Sequence, residues 1–326
     1  MEITIPHTAL TKALELVGRI STKHVTLPVL QCVRIEAKES GITLQATNLE
    51  ISLEVPIPGE IHEAGVVAIP AQIFHQSIQF IDQKELTLRT EEQVLQLETK
   101  HTNTSIKTFS VDEFPNIHKR EGEELKLQGV QFSYGIKSVA FAASQTSIKP
   151  ELGSVFVQQK KEHSLTFVAT DSFRLMEKTV SQKGGVFEQS IMIPQKNAVE
   201  LARIVDVVGE DPVFITDENQ CALRFPGGVY VSSRLVAGSF PDYAQIIPKE
   251  YVSHVTVLKD DLVRSFKKTN IFLNKFRQVS LMLTEGSLTI SSQNNEVGHT
   301  TDTVRAQVEG EELRLNFNQQ YIMDPL

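Results

Sequence analysis

The sequence contains no tryptophan, only two cysteines and no long apolar run. Two well-separated cysteines, Cys32 and Cys221, make neither a disulfide framework nor a CxxC metal site, which predicts free buried thiols in a reducing compartment. No segment approaches the roughly 18 apolar residues of a membrane helix. The first residues lack the basic and apolar regions of a signal peptide. Together these absences predict a cytoplasmic globular protein that does not contact a membrane.

Motifs that carry catalysis or bind cofactors are also missing. The nine histidines are scattered, without metal-ligand spacing, and there is no P-loop, GxSxG or GxGxxG sequence. We therefore expect no catalytic residues, no cofactor and no metal. One enzymatic alternative stays open, in which Asp171 acts as an acid and Arg174 orients it within an α+β fold.

What is present is 326 residues of ordinary composition, 40% hydrophobic and 22% charged. This length and composition are sufficient for two or three domains with apolar cores. The net charge of −8 excludes a protein that coats nucleic acid with its whole surface, because such proteins are basic. Any contact with a polyanion must therefore come from local basic faces on an acidic body.

The first two thirds of the chain contain an internal repeat. Four landmarks occur in the same order, namely Pro28, Thr47, Pro70 and Pro115 in the first copy and Pro150, Thr170, Pro194 and Pro241 in the second. Their spacings are 19, 23 and 45 residues in one copy and 20, 24 and 47 in the other. A unit of this length is a domain. Within each copy a helix followed by strands is predicted twice, with residues 27–30 starting a strand.

A third copy is predicted to start near Val257, with Asp260 or Asp261 capping its first helix. Residues 313–318 occupy the position of the strand that ends at Pro70. By the repeat, roughly 41 residues of the first copy have no counterpart in the third. The sequence therefore predicts an α+β fold of three repeated domains, each of two helix-plus-sheet halves and the third incomplete. The predicted domains are 1–119, 124–249 and 252–326.

Residues 168–176 form an apolar run, three small polar residues and a second apolar run. This pattern predicts a strand, a tight turn at Asp171 and Ser172, and the start of another strand. Phe173 and Leu175 alternate with Arg174, so the two apolar side chains point to one face. Two interpretations stay open, a core hairpin and an exposed docking surface.

Basic residues recur on the predicted helices, away from their apolar stripes. They are Lys12 and Arg19 in the first copy, Lys137, Lys196 and Arg203 in the second, and Arg264, Lys267 and Lys268 in the third. A solvated helix face is one interpretation. The other is contact with a polyanion backbone, because spread cations without a base-reading pattern position a nucleic acid without reading its sequence.

Several stretches resemble the bacterial DNA polymerase sliding clamp, the beta subunit of the replicative polymerase. They are Thr26-Leu27-Pro28-Val29-Leu30, Glu113-Phe114-Pro115-Asn116, Ala169-Thr170-Asp171-Ser172-Phe173-Arg174-Leu175, Ser233-Arg234-Leu235-Val236, Gly238-Ser239-Phe240-Pro241-Asp242-Tyr243, Lys275-Phe276-Arg277 and Phe317-Asn318-Gln319-Gln320-Tyr321-Ile322-Met323-Asp324. The resemblance implies three clamp-fold domains in a head-to-tail homodimeric ring around duplex DNA. Such a ring is a processivity factor that tethers the polymerase, the clamp loader and other proteins through short peptides.

The resemblance also implies roles for individual residues. DNA contacts would come from Lys12, Arg19, Lys23, His24, Lys137, Lys149, Lys196, Arg203, Arg264, Lys267 and Lys268. The peptide pocket would comprise Leu152, Thr170, Ser172, Phe173, Arg174, Leu175, Pro241 and Ile246. The dimer interface would join Ile106 of one chain to Ile271 and Phe272 of the other.

The sequence also departs from the family pattern. Ser172-Phe173 replaces the usual Gly-His pair, and the second helix of the first copy lacks the usual arginine near Gln72, Gln76 and Gln79. The absence of the last strands predicts, as an alternative function, a truncated clamp paralogue that cannot close a stable ring.

Overall fold

The computed structural model describes residues 1–21, 27–99, 102–119, 121–146, 148–183, 185 and 189–326. It divides into two compact units, Met1–Phe240 and Pro241–Leu326. The first unit contains two copies of the repeat and the second unit contains the third copy. The predicted α+β class is thereby confirmed.

The two copies in the first unit follow the same order of elements, except that β5 of the first copy has no counterpart among the described strands of the second. The first comprises β1 Glu2–Pro6, α1 His7–Val17, β2 Cys32–Lys38, β3 Gly41–Thr47, β4 Ile51–Ile57, β5 Glu60–Glu63, β6 Gly65–Pro70, α2 Ala71–Ile78, β7 Glu85–Glu91, β8 Val94–Glu98 and β9 Asn103–Lys107. The second comprises β10 Glu123–Lys126, α3 Gly129–Val139, β11 Ser154–Gln158, β12 Ser164–Thr170, β13 Leu175–Ser181, β14 Ile191–Pro194, α4 Gln195–Val208, β15 Val213–Thr216, β16 Gln220–Arg224 and β17 Tyr230–Arg234. Each of α2 and α4 therefore begins directly after a strand that ends in proline.

The second unit repeats the first part of this order. It comprises β18 Ser253–Val257, α5 Lys259–Thr269, β19 Gln278–Thr284, β20 Ser287–Asn294, β21 Gly298–Gly310, β22 Leu313–Asn318 and α6 Gln319–Met323. These strands form one sheet in the order β18-β21-β20-β19-β22. Counterparts of β7 to β9 do not occur among these elements. The buried core of this unit is correspondingly small, with Phe266 and Val279 at its centre.

One of the three sheets of the first unit joins its two copies. The strand orders of the three sheets are β5-β1-β7-β8-β9, β10-β15-β16-β17-β4-β3-β2-β6 and β13-β12-β11-β14. The eight-stranded sheet crosses from the second copy to the first where β17 pairs antiparallel with β4, Ser232 lying opposite Ser52. One cluster of buried apolar side chains extends through both copies. The last strand of the second copy thus pairs with the fourth strand of the first copy and makes one continuous sheet of the two.

The predicted helix stripes are buried as expected. Leu10, Leu14 and Val17 of α1 lie in the core, and α1 packs on β3, β4 and α2. In the second copy α3 packs on α4, β12 and β13, and Phe132 meets Phe167 edge to face at 5.8 Å between ring centroids. The helical periodicity of the sequence was therefore a sufficient guide to these helices.

Two local predictions were wrong. Residues 27–30 do not start a strand, because Pro28–Gln31 forms a 3-10 turn and β2 begins only at Cys32; proline fixes φ in the range such a turn needs. Asp260 and Asp261 do not cap α5, since the N-cap residue is Leu258 and makes no side-chain bond. Both carboxylates lie instead in the first turn, where they interact favourably with the helix dipole.

Both cysteines are buried and unpaired, as predicted. Burial raises the pKa of the Cys32 thiol to about 12, and that of Cys221 likewise to about 12. Because the thiolate is the reactive form, neither side chain is suited to nucleophilic or redox chemistry in the folded protein.

Gly135→Ala tests the packing of α3 against the sheet. A Cβ at Gly135 would lie 2.3 Å from the Phe167 ring, so we expect overpacking to lower the free energy of unfolding by about 1–3 kcal/mol. Gly153→Ala is the matched control, because its Cβ would meet nothing closer than 3.6 Å. Urea unfolding of the two variants measures the difference, and equal stabilities would contradict this close packing.

Candidate functional site

The turn between β12 and β13 is fixed by its own side chains. The Thr170 hydroxyl donates to the Arg174 carbonyl at 2.7 Å. The backbone N–H groups of Phe173 and Arg174 both donate to Asp171 Oδ1 at 3.0 Å. Ser172 has φ +74°, a left-handed conformation that glycine adopts without strain. This explains why glycine is usual at this position in the family that the sequence resembles.

The first copy makes the same turn with other residues. Asn48 Oδ1 accepts from the N–H groups of Glu50 and Ile51 at 3.0 and 2.9 Å, and Leu49 has φ +75°. The Thr47 hydroxyl donates to the Ile51 carbonyl at 3.2 Å. The predicted equivalence of the two turns is confirmed, so the turn itself is shared scaffold and its side chains are what differ.

Arg174 joins this turn to the rest of the second copy. Its guanidinium donates to Asp171 Oδ2 at 3.1 Å and to the Phe141 carbonyl at 2.5 Å, and it lies 5.6 Å from the centroid of the Phe141 ring. Arg174 therefore stabilises the turn and ties it to the segment that contains Phe141. Both carboxylate oxygens of Asp171 accept hydrogen bonds, Oδ1 from the backbone of the turn and Oδ2 from Arg174. Because both oxygens are already bonded within the turn, this arrangement does not favour the alternative role of Asp171 as a catalytic acid.

Phe173 stands out from this rigid turn. Its side chain is 83% exposed, whereas Leu175 is half-buried at the start of β13. The 3-10 turn that contains Leu152 packs beside β12. Of the two interpretations of residues 168–176, the exposed docking surface describes Phe173 and the core hairpin describes the strands on either side.

The other two residues implied for the pocket, Pro241 and Ile246, belong to the second unit. Both are exposed. Their participation in one pocket with the β12–β13 turn stays a prediction.

The predicted basic residues fall into two groups. Members of the first group are exposed and form no ion pair within the described parts of the chain: Lys12, Arg19, Lys196 and Lys267. Members of the second group are held by acids: Lys137 by Asp206, Arg203 by Glu200, Arg264 by Asp261 and Lys268 by Asp302. Lys149 is exposed. Lys23 and His24 lie outside the described residues.

Arg203 differs from the others because it is mostly buried between helices. Its guanidinium donates to the Leu16 carbonyl at the end of α1 at 2.9 Å and pairs with Glu200 on its own helix. A cation at a helix C-terminus stabilises the unpaired carbonyls there. Arg203 therefore ties α4 of the second copy to α1 of the first, a role that its seven-residue spacing from Lys196 did not reveal.

The acid partners were missed by sequence reasoning. Asp206 on α4 binds Lys137 on α3, and Asp302 on β21 binds Lys268 on α5 at 2.8 Å. These pairs join residues that are 69 and 34 positions apart, so no local spacing could have indicated them.

The residues predicted for a dimer interface differ in exposure. Ile106 is on β9, the end strand of its sheet, with its side chain turned inward. Ile271 is 68% exposed. A Cβ at Gly298, the first residue of β21, would lie 3.5 Å from the Phe272 ring, so Phe272 covers the start of that strand.

Neither a metal site nor a membrane segment is found in the part of the chain that the structure describes. There, no three His, Cys, Asp or Glu side chains lie close enough together to hold a metal ion. None of the described helices is long and apolar enough to cross a bilayer.

Comparison with known proteins identifies the family of this repeat. Models of the N-terminal, central and C-terminal domains of the DNA polymerase III beta subunit match residues 1–118, 126–242 and 244–326. The chain belongs to the DNA polymerase III beta subunit family. It is therefore a member of the sliding clamps, which are non-catalytic processivity factors of DNA replication, and the three repeated domains have the DNA-clamp fold.

Individual relatives agree with this assignment. The beta sliding clamps of Proteus mirabilis and Escherichia coli K12 are 28% and 26% identical, with all of this chain and 90% of each relative covered. The DNA polymerase III beta subunit of Pseudomonas aeruginosa is 26% identical with a TM-score of 0.91, and the structure of a Pseudomonas aeruginosa sliding clamp bound to griselimycin is 25% identical with a TM-score of 0.90. Both structural comparisons cover all of this chain and 89% of the other.

The two copies of the turn provide a matched test of Asp171. Asp171→Asn keeps the acceptor oxygen that Asn48 uses in the first copy, so we expect a loss of less than about 1 kcal/mol from the half-buried ion pair with Arg174. Asp171→Ala leaves two backbone N–H groups without their acceptor, and we expect a loss larger by about 1–2 kcal/mol. Urea unfolding measures both, and equal losses would show that the carboxamide oxygen is not what holds the turn.

Proposed function

We propose that this chain forms a head-to-tail homodimeric ring that encircles duplex DNA without sequence preference and tethers replication proteins to it. The ring would comprise clamp domains 1–119, 124–249 and 252–326 from each of two chains. The observation that carries the proposal is the joint between the first two copies, because the same joint can be formed again between two chains.

The joint inside the chain has a strand part and a helix part. The edge of β17 pairs with the edge of β4. Beside this pairing, Asn197 of α4 donates to the Glu50 carbonyl, just before β4, at 3.4 Å, and Arg203 donates to the Leu16 carbonyl of α1. The last strand and the second helix of one copy thus meet the fourth strand and first helix of its neighbour.

Two equivalent surfaces are open elsewhere in the chain. By the repeat, β9 takes the position of β17 and β21 takes that of β4. Within the described residues β9 pairs only with β8, and residues 298–305 of β21 pair only with β20. Open edges favour pairing with another strand. Placing β9 of one chain on β21 of the next gives a heterologous contact, which closes into a ring when the rotation per domain permits it.

The side chains at these open surfaces are apolar, which favours contact between chains. Ile73 of α2 and Phe80, which follows the end of α2, stand where Asn197 and Ile204 stand in α4. Ile73 is 52% and Phe80 87% exposed, whereas Asn197 and Ile204 are buried in the joint region. An exposed apolar helix face of this kind marks an interaction surface.

The matching face on the second unit is also apolar. Phe272 stands where Ile20 follows α1 in the first copy, and Ile271 beside it is exposed. Ile106 takes the position of Ser233, whose strand partner is Ile51. The same register would place Ile106 of one chain opposite Gly298 of the other, next to Phe272.

DNA would be held by weak contacts to its backbone. The exposed lysines and arginine of α1, α4 and α5 offer charge without a base-reading arrangement, and such contacts allow a protein to slide. The acidic remainder of the chain, with a net charge of −8, would repel DNA from the outer surface. The ring would hold its DNA by topology.

Partner proteins would dock at the turn after β12. A rigid turn that presents Phe173 beside Leu175 and the Leu152 turn offers an apolar surface for a short peptide of the polymerase, the clamp loader or another replication protein. Pro241 and Ile246 would complete it. The same proposal assigns the protein to the cytoplasm, with the replicating chromosome.

Retention on circular DNA tests the ring. After loading on nicked circular DNA, we expect the protein to stay bound through a salt wash and to be released when the DNA is linearised, because a topological link ends with the circle. Gel filtration measures both states. Retention that is unaffected by linearisation would contradict encirclement, and failure to load together with a monomeric mass in light scattering would favour the clamp paralogue that does not close.

Phe173→Ala tests the docking turn. Loss of an exposed aromatic anchor should weaken binding of a clamp-loader or polymerase peptide at least about tenfold, since such anchors contribute about 2 kcal/mol or more. Leu49→Ala is the matched control, because Leu49 is the exposed side chain of the equivalent turn in the first copy. Fluorescence anisotropy of a labelled peptide reports the affinities. Equal affinities of the two variants would exclude Phe173 as an anchor.

A further inference from the structure

We propose that Asp206 and Asp302 attenuate DNA binding by holding Lys137 and Lys268 in ion pairs, so that the unpaired cations of the helices contribute most of the attraction to the DNA backbone. This inference rests on the proposed function and adds to it a means of setting the affinity for the DNA backbone. It begins from the division of the basic residues into free and acid-held groups.

Asp206 is positioned by more than its attraction to lysine. It lies in the last turn of α4, and Oδ1 accepts a hydrogen bond of 2.6 Å from Ser133 of α3, whose side chain is buried. Oδ2 binds the ammonium group of Lys137, also on α3. Partial burial raises the pKa of Asp206, but the bonds from Lys137 and Ser133 outweigh it and hold that pKa below its usual range. The carboxylate is therefore charged and fixed beside Lys137.

Asp302 holds a lysine in the same way in the second unit, but from a strand instead of a helix. Its carboxylate, on β21, receives Lys268 of α5 at 2.8 and 3.0 Å, one distance to each oxygen. The hydrogen bond from Lys268 holds the pKa of Asp302 below its usual range. Lys267, the neighbouring lysine, is exposed and unpaired within the described residues. Of these two adjacent lysines on α5, Lys268 is therefore paired with an acid and, in the described part of the chain, Lys267 is not.

An acid beside a lysine weakens the attraction of that lysine for phosphate in two ways. It occupies the ammonium group, and it adds a negative charge close to where the phosphate would lie. Because exposed ion pairs are weak, the acid weakens the attraction of the lysine for phosphate without abolishing it. Such attenuation suits a ring that must move along DNA, since firm binding to phosphates would slow it.

A double-mutant cycle on Asp206 and Lys137 tests the inference. The readout is the slope of log affinity against log salt for a fluorescent duplex, which steepens by about 0.9 for each additional phosphate that the protein neutralises. We expect Asp206→Asn to raise the affinity at low salt and to steepen the slope by about 0.9 per released lysine. Lys137→Gln alone should change the slope little, and it should cancel the increase when combined with Asp206→Asn.

Glu15→Gln is the matched control for net charge. Glu15 lies exposed on α1 between Lys12 and Arg19 and binds no cation among the described residues, so its removal changes the charge equally but releases no lysine. If Asp206→Asn and Glu15→Gln have the same effect, the increase is one of net charge and the inference fails. The inference also fails if Lys137→Gln lowers the slope as much as Lys196→Gln does.

The Lys196→Gln variant also separates this inference from the proposed function. If Lys196→Gln leaves the slope unchanged, these helices do not contact DNA and the proposed DNA-binding face itself is overturned. If Lys196→Gln lowers the slope but Asp206→Asn does not raise it, only the attenuation is overturned. Asp302→Asn with Lys268→Gln repeats the cycle in the second unit with the same expected signs.

Discussion

The pairing of β17 with β4 is the interaction on which the rest of the structure depends. It merges two copies of the repeat into one eight-stranded sheet, continues their cores into each other and brings α4 against α1. A sheet that grows through its edges needs a partner at each new edge. In this chain the equivalent edges, β9 and residues 298–305 of β21, each pair on one side only among the described residues, and in the proposed ring they would meet between two chains.

The two kinds of joint differ in chemistry. Inside the chain, Asn197 donates across the joint to the Glu50 carbonyl at 3.4 Å; in the proposed joint between chains, the exposed Ile73 would take the position of Asn197. A polar joint is permanent here because the chain is continuous, whereas a joint that forms from separate subunits is favoured by apolar burial, the dominant favourable contribution in association. In the proposed ring, the exposed Ile73 of α2 would thus help to close the joint by apolar contact, while the cations of the helices would attach the ring only weakly to its DNA.

Much of the fold could be predicted from the sequence because it is periodic at two scales. Apolar spacing predicted α1 to α5, the landmark prolines and threonines predicted the first two copies, and the pattern of a helix followed by strands predicted the third. Where the prediction failed, at residues 27–30 and at Asp260, the outcome depended on local backbone geometry. The acid partners Asp206 and Asp302 and the joint role of Arg203 were not predictable, since each contact joins residues remote in sequence. Phe173 was ambiguous because alternation alone does not tell which face is covered.

The proposed pairing of β9 of one chain with β21 of another is tested most directly by a cross-link between the two strands. In the register of β17 and β4, Ser105 of one chain faces His299 of the other, as Ser232 faces Ser52. A chain carrying both Ser105→Cys and His299→Cys should form a covalent dimer on oxidation, because paired strand positions approach closely enough for a disulfide. Each single variant should stay monomeric on a denaturing gel, since Cys32 and Cys221 are buried. A protein of dimeric native mass that forms no such cross-link would contradict the account.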